Sequence, residues 1–78
     1  MYWVKTNTAA MKVIRHDRRI TQRELAKKAG VHFTTISKIE KGIRNPKGIT
    51  ADNIAKALNV PFEAIFFEEL IDECQKGS

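Results

Sequence analysis

Cysteine is nearly absent from the 78-residue sequence, and other metal-binding side chains are sparse. The single cysteine, Cys74, cannot form a disulfide within one chain. With only His16 and His32 beside it, no set of residues has the spacing of a tetrahedral zinc site. The sequence therefore predicts no metal and no cofactor, and its cysteine usage suits a reducing cytoplasm.

Long apolar runs are also absent. The longest are short, such as residues 64–67, whereas a membrane helix needs about 20 apolar residues. Residues 1–4 lack the pattern of a secretory signal. The sequence therefore predicts a cytoplasmic protein without a membrane partner, and its length predicts one domain over residues 1–78.

Catalytic constellations are missing as well. The sequence shows no Ser-His-Asp or Cys-His set and no glycine-rich phosphate loop, and no paired carboxylates have a supporting context. An acidic cluster near the C terminus is more typical of a solvated helix face: Glu68, Glu69, Asp72 and Glu73. We therefore expect neither an enzyme nor a small-molecule ligand.

Positive charge is concentrated in the first part of the chain. Residues 1–47 carry twelve Lys and Arg against three Asp and Glu, whereas residues 48–78 carry two against six. A basic face attracts polyanions, because each phosphate that is neutralised releases condensed counterions. The alternative is an ordinary solvated surface, since charge patterning bears on association rather than on fold.

Apolar residues recur at spacings of three and four, and no segment alternates apolar and polar residues as a half-buried strand would. The pattern predicts an all-α domain of five helices. Their expected positions are about residues 7–18, 21–30, 32–41, 50–58 and 61–74.

The first helix is expected to point Met11 and Ile14 inward, with Ala10 and Val13 beside them. The residues expected on its outward side are charged: Lys12, Arg15, Arg18 and Arg19.

Capping signals position the later helices. Thr21 and Glu24 form a Thr-x-x-Glu capping box at the start of the second helix, and Gly30 suits its end because glycine accepts a left-handed conformation. Thr50 is the expected N-cap of the fourth helix. Pro61 is the expected first residue of the fifth, where its missing N–H costs nothing.

The second and third helices have the spacing of a helix-turn-helix over about residues 21–41. Ala26 is small where two steeply crossing helices must approach, and Gly30 makes the bend between them. Larger apolar residues fill the wedge between the helices: Leu25, Val31, Ile36 and Ile39. The outward face of the third helix is polar and basic.

The sequence resembles the phage Cro and repressor helix-turn-helix family, and also the controller proteins of restriction-modification systems. The similarity covers about residues 10–67. It rests on Ile14-Arg15, Arg18, Ile20-Thr21-Gln22, Glu24-Leu25-Ala26, Ala29-Gly30-Val31, Ile36-Ser37, Ile39-Glu40, Gly42, Ile54-Ala55-Lys56-Ala57-Leu58, Val60 and Phe66. The resemblance implies a five-helix, lambda-repressor-like domain. Such a domain would bind an inverted repeat in double-stranded DNA as a homodimer and regulate transcription as a bacterial or phage-encoded, nucleoid-associated protein.

The resemblance also implies roles for individual residues, with the third helix in the major groove. The residues expected to meet base edges are Phe33, Thr34, Ser37 and Lys38. Those expected to contact phosphates are Gln22, Arg23, His32, Lys41, Arg44 and Lys47. Lys38 suits guanine O6 or N7, and Phe33 suits the methyl group of thymine.

Three residues depart from the family pattern. His32 stands where serine often caps the third helix, and it either contacts a phosphate or lies exposed. Phe33 stands where a polar base reader is usual, and its alternative role is packing within the protein or at a dimer contact. Arg19 replaces a glycine before the second helix, so that turn lacks a permissive residue.

Arg15 and Glu40 occupy positions that pair in some relatives. We expect either a structural ion pair between the first and third helices or two independently solvated side chains. The net value of such a pair depends on whether pairing offsets desolvation.

The last predicted helix carries two apolar stripes. The first, which contains Phe62, Ile65 and Phe66, is expected to face the domain. The second is the candidate dimer interface: Phe67, Leu70, Ile71 and Cys74. The alternative is that residues 2–4 cover this second stripe within one chain.

A protein-interaction module of the same fold is the alternative function, because some relatives act as antitoxins or coactivator bridges. Phe33 and the apolar end of the chain favour that interpretation. The basic charge of residues 1–47 argues for DNA instead.

Overall fold

The computed structural model describes residues 4–67, which form a mostly helical domain with a small sheet. In chain order the elements are β1 (Lys5–Thr6), α1 (Thr8–Asp17), α2 (Gln22–Ala29), α3 (Phe33–Glu40), α4 (Gly48–Leu58), a 3-10 turn (Phe62–Ala64) and β2 (Phe66–Phe67). The predicted helix-turn-helix fold is confirmed, but residues 4–67 contain four α-helices, and residues 61–67 of the predicted fifth helix form a 3-10 turn and a strand instead.

Helix α1 begins at a side-chain cap and buries a face different from the one predicted. The Asn7 side chain accepts the backbone N–H of Ala10 at 3.0 Å, which satisfies one of the free N–H groups of the first turn. Met11 is fully buried, but Val13 is 66% exposed and Arg15 is 8% exposed. Position 13 lies about 200° around the helix from position 11, whereas position 15 lies on the same face. Burial of Val13 and exposure of Arg15 were therefore wrong predictions.

Helix α2 has the predicted boundaries. The Thr21 side chain accepts the backbone N–H of Glu24 at 3.0 Å, and the Glu24 carboxylate accepts the backbone N–H of Thr21 at 2.8 Å. Gly30 follows the helix with φ of 76°, in the left-handed region. The capping box and the glycine stop are both confirmed.

Helix α4 begins earlier than predicted. Its first residue is Gly48 and its N-cap position is Lys47, so Thr50 is the third helical residue rather than the cap. The start is fixed by packing, because Gly48 and Ala51 are both buried. The Ala51 N–H donates to the Lys47 carbonyl at 2.9 Å. The prediction of a Thr50 cap was wrong.

The segment after α4 forms a strand where helix was predicted. After the 3-10 turn, β2 pairs antiparallel with β1, with Lys5 opposite Phe67 and Thr6 opposite Phe66. The Asn7 N–H also donates to the Ile65 carbonyl at 2.7 Å. Residues 5–7 thus provide backbone hydrogen-bond partners for residues 65–67, which a helix at residues 65–67 would not use. The predicted continuation of this helix to residue 74 lies outside the described residues.

The core joins all four helices, and Val4, Ile65 and Phe66 add to it from the segments around the two strands. The buried apolar residues are Val4, Met11, Leu25, Ala26, Ala29, Ile36, Ile39, Ala51, Ile54, Ala55, Leu58, Ile65 and Phe66. This set contains most of the predicted helix-turn-helix scaffold, and Val31 packs against it while partly buried. No helix within residues 4–67 is long and apolar enough to cross a membrane.

Candidate nucleic-acid interface

The predicted base-reading residues lie on α3, whose opposite face is anchored in the core. Ile36 and Ile39 are fully buried. Thr34 and Lys38 are exposed, and Ser37 is partly exposed. Their hydroxyl and ammonium groups are hydrogen-bond donors on a helix held rigidly by apolar packing. This face can therefore present donors to an external acceptor.

Two basic grooves each include a residue of α3. The first, which we name the α2 groove, has a volume of about 600 Å³ and is lined by Arg15, His16, Arg19, Ile20, Thr21, Gln22, Arg23 and Phe33. The second, which we name the loop groove, has a volume of about 210 Å³ and is lined by Val31, Thr35, Arg44, Asn45, Pro46, Lys47 and Thr50.

Four of the six residues predicted to contact phosphates line one of the two grooves. Gln22 and Arg23 line the α2 groove, and Arg44 and Lys47 line the loop groove. The two remaining predicted residues are exposed but line neither groove: His32 and Lys41.

Sequence reasoning missed several groove residues. His16 and Arg19 line the α2 groove, while Thr35, Asn45 and Thr50 line the loop groove. His16 lies in the last turn of α1 and Arg19 in the turn before α2, so two basic side chains shortly before the predicted Gln22 were an available signal. No sequence signal marked Thr35, because it lines the groove only through the position of the loop that follows α3.

A buried hydrogen-bond network connects α1, α2 and α3. The Arg15 guanidinium donates to both oxygens of the Glu40 carboxylate, through Nε at 2.6 Å and Nη2 at 3.1 Å. The Gln22 amide also donates to Glu40, at 3.0 Å. Glu40 is only 2% exposed, so its charge depends on these donors. The structural ion pair is confirmed, and Gln22 is held at the start of α2 by the same carboxylate.

Arg15 also stabilises the turn between α1 and α2. Its Nη1 donates to the Ile20 carbonyl at 2.9 Å. Within that turn Arg19 has φ of 57°, in the left-handed region. The missing glycine is therefore replaced by a strained residue, and contacts made by Arg15 help to hold the strained turn in place.

Arg23 and Phe33 form a contact between the two helices of the motif. The guanidinium carbon of Arg23 lies 4.1 Å from the centroid of the Phe33 ring. The His32 ring also lies against Phe33, with centroids 4.9 Å apart. Phe33 is partly buried against the core. Intramolecular packing therefore uses part of its ring and leaves the rest accessible.

His32 caps α3. Its Nδ1 accepts the backbone N–H of Thr34 at 3.2 Å and lies 2.9 Å from the Thr34 hydroxyl. Because Nδ1 is the acceptor, the proton of the neutral ring lies on Nε2. His32 is thus an exposed residue with a structural role: its side chain accepts an N–H group of the first turn, as a serine N-cap would.

The capping box of α2 affects the ionisation of Glu24. The backbone N–H of Thr21, and secondarily its side chain, hold the pKa of the Glu24 carboxyl below its usual value. Hydrogen bonds to the charged form are the cause. The first turn of α2 therefore carries a carboxylate at neutral pH, which also favours the positive end of the helix dipole.

Comparison with known proteins identifies related sequences and structures. The family model described as Helix-turn-helix matches residues 11–65. The HTH-type transcriptional repressor RghR of Bacillus subtilis (strain 168) is 36% identical over 59 residues, covering 74% of this chain and 44% of the relative. The immunity repressor protein of Bacillus phage phi105 is 36% identical over 61 residues, covering 78% and 42%. This chain therefore spans less than half the length of these two relatives.

A solved structure gives the same result at the level of fold. The wild-type restriction-modification controller protein C.Esp1396I aligns with a TM-score of 0.66 and 34% identity, covering 73% of this chain and 78% of the other. The family match includes the capping box, both helices of the motif and the buried Arg15 and Glu40 pair. The chain belongs to the Helix-turn-helix family.

Proposed function

We propose that this protein is a transcriptional regulator that binds an inverted repeat in double-stranded DNA as a homodimer. The observation that carries the proposal is the arrangement around α3, whose donor-bearing face is accompanied by two basic grooves. The names of the relatives, which include transcriptional repressors, support the same class. In this proposal α3 enters the major groove, and the two grooves receive phosphates of the DNA backbone.

Base recognition is assigned to the α3 face. Lys38 donates to guanine O6 or N7, and the Thr34 and Ser37 hydroxyls serve acceptors on neighbouring bases. The accessible part of the Phe33 ring packs on a thymine methyl group. Phosphate contacts that fix the register of the domain are assigned to Gln22, His32, Lys41, Arg44 and Lys47.

A salt titration tests the DNA-binding proposal. Preferred sites are first selected from a library of randomised duplexes, and binding is then measured on the selected site and on a scrambled duplex. We expect affinity to fall steeply with salt on both duplexes, and the selected site to bind at least about 1000-fold more tightly. Failure to enrich any sequence, or equal binding to both duplexes, would contradict sequence-specific regulation.

The homodimer is proposed to form through the end of the chain. Phe67 is 52% exposed although it follows the buried Phe66. Contiguous apolar surface commonly marks a partner site, and the sequence supplies further apolar residues after Phe67. The other residues assigned to this interface lie outside the described residues: Leu70, Ile71 and Cys74. Val4 is buried in the core, so it is not available to cover Phe67 from outside.

Sedimentation measurements test the homodimer. The wild-type chain is expected to sediment as a dimer, and the Phe67→Ser variant is expected to dissociate at concentrations where the wild type does not. Val13→Ser is the matched control, because Val13 is also exposed but lies on α1. A wild-type monomer at high concentration, with and without DNA, would refute the homodimer.

A further inference from the structure

The Arg23 side chain is held by an aromatic contact, whereas those of Arg15 and Arg18 are held by hydrogen bonds. The Arg15 guanidinium is taken up by Glu40, and Arg18 Nε donates to the Leu58 carbonyl. The Arg23 guanidinium instead rests on the Phe33 ring. No hydrogen bond or ion pair within residues 4–67 engages it, so its five N–H donors are available to an external acceptor.

The Phe33 contact also determines where those donors lie. Arg23 is the second residue of α2, whereas Phe33 is the first residue of α3. The contact therefore brings a guanidinium from α2 to the N-terminal end of α3. In the proposed function this end of α3 is the part that meets base edges.

The chemistry of the guanidinium favours a base over a phosphate at this position. A phosphate contact carries no sequence information, and a freely moving cationic side chain can make it. When a guanidinium reads guanine, two donors of its planar fork are aimed at O6 and N7, and orientation matters for both. An aromatic platform supplies that orientation, because a cation over a ring is attracted to its face.

We propose that Arg23 is a base-reading residue that recognises guanine, and that Phe33 is its positioning residue. The accessible edge of Phe33 then lies beside the neighbouring base, where a thymine methyl group fits. The recognised step is thus a thymine next to a guanine in each half-site. This inference rests on the proposed function, and it replaces the phosphate contact that the family resemblance implies for Arg23.

Selection of binding sites with matched variants tests the inference. The wild-type chain and the variants Arg23→Lys, Phe33→Leu and Phe33→Tyr are each used to select from the same randomised duplexes. Arg44→Lys is the control, because it preserves charge at an arginine of the loop groove. Thermal unfolding of each variant verifies that it is folded.

The wild-type site is expected to contain one guanine per half-site that Arg23→Lys and Phe33→Leu no longer select. Phe33→Tyr retains the ring and should retain that guanine, as should Arg44→Lys. On the wild-type site, Arg23→Lys should lose roughly tenfold or more in affinity, with little change on scrambled DNA. In the Arg23→Lys background, Phe33→Leu should cause no further loss of preference at that guanine.

Three outcomes would overturn the inference. If Arg23→Lys selects the wild-type site and weakens specific and scrambled DNA equally, Arg23 contacts a phosphate. If Phe33→Leu keeps the guanine, Phe33 does not position Arg23. If the wild-type protein selects no sequence at all, the proposed function fails together with this inference, which distinguishes that result from the first two.

Discussion

At the scale of residues, the buried pair of Arg15 and Glu40 is expected to have a large effect on the free energy of unfolding. Glu40 is 2% exposed and Arg15 8% exposed, so each charge needs the other. Removing either partner leaves an uncompensated buried charge, which typically costs about 3–5 kcal/mol. We therefore expect Arg15→Met and Glu40→Leu each to lower the free energy of unfolding by that amount, measured by urea denaturation at low temperature.

The double variant distinguishes pairing from simple loss of packing. Arg15→Met with Glu40→Leu should be much more stable than the two single effects predict, because neither charge remains to be desolvated. The exposed pair of Lys56 and Asp52, 3.1 Å apart, is the control and should show a coupling energy of only about 0.3–0.5 kcal/mol. A coupling energy at Arg15 and Glu40 no larger than this would refute their structural role.

Arg19 is the residue whose backbone conformation costs stability. Its φ of 57° lies in the left-handed region, which costs a residue with a side chain about 1 kcal/mol or more relative to glycine. Arg19→Gly should therefore raise the free energy of unfolding by about 1 kcal/mol, measured by chemical denaturation. Arg19→Ala removes the same charge without relieving the backbone and should give no gain. Equal effects of the two substitutions would contradict this explanation.

At the scale of elements, the start of α2 should make stability depend on pH. The pKa of Glu24 is lowered in the folded state by the Thr21 hydrogen bonds. A carboxyl with a lowered folded pKa stabilises the fold above its unfolded pKa, about 4.3 for Glu. That contribution is lost as pH falls through the lower folded pKa.

The Glu24→Gln variant isolates this contribution, because glutamine retains the capping-box geometry without titrating. We expect the stability difference between wild type and Glu24→Gln to be constant near neutral pH and to shrink as pH falls below about 4.3. Urea denaturation at a series of pH values measures it. A difference independent of pH would show that the capping box does not hold the charged form.

Val4, the residue immediately before β1, is expected to contribute to the stability of the fold. Val4 is 1% exposed, and its N–H donates to the Pro46 carbonyl at 3.1 Å. Val4→Ala should therefore lower the free energy of unfolding by roughly 1–2 kcal/mol through lost burial and a cavity. Val13→Ala, at a position 66% exposed, should change it by less than about 0.5 kcal/mol. Thermal unfolding compares the two, and equal losses would contradict the observed packing.

Local chemistry made part of the fold predictable from sequence. The Thr21 and Glu24 capping box and the Gly30 stop act within a few residues, so the pattern alone located α2. The small sheet was missed because each strand has two residues and pairs with residues about 60 positions away, which leaves no alternating pattern. Thr50 was mistaken for a cap because packing of Gly48 decided where α4 begins.

The candidate site divides in the same way. Its α3 face followed from helical periodicity and from the family resemblance. The contact between Arg23 and Phe33 did not, because it joins two helices across the turn and depends on their observed crossing. General N-cap preferences did not predict the capping role of His32, because histidine is a weak N-cap in most helices. In this structure its ring reaches the N–H of Thr34.

At the scale of the whole molecule, charge and shape lead to one account of function. Residues 1–47 hold the basic excess, and the basic residues that line the two grooves all come from this part of the chain. Residues 48–78 carry an excess of acidic residues instead. The basic residues of the two grooves therefore favour this part of the domain as the surface for a polyanion.

The central claim is that α3 reads bases while neighbouring residues contact phosphates. The most direct measurement compares Lys38→Ala and Lys41→Ala by titration on the selected site and on scrambled DNA. Lys38→Ala should cost about 1–3 kcal/mol on the selected site and relax selectivity, whereas Lys41→Ala should weaken both duplexes alike. Equal losses on both duplexes for Lys38→Ala would contradict base reading by α3.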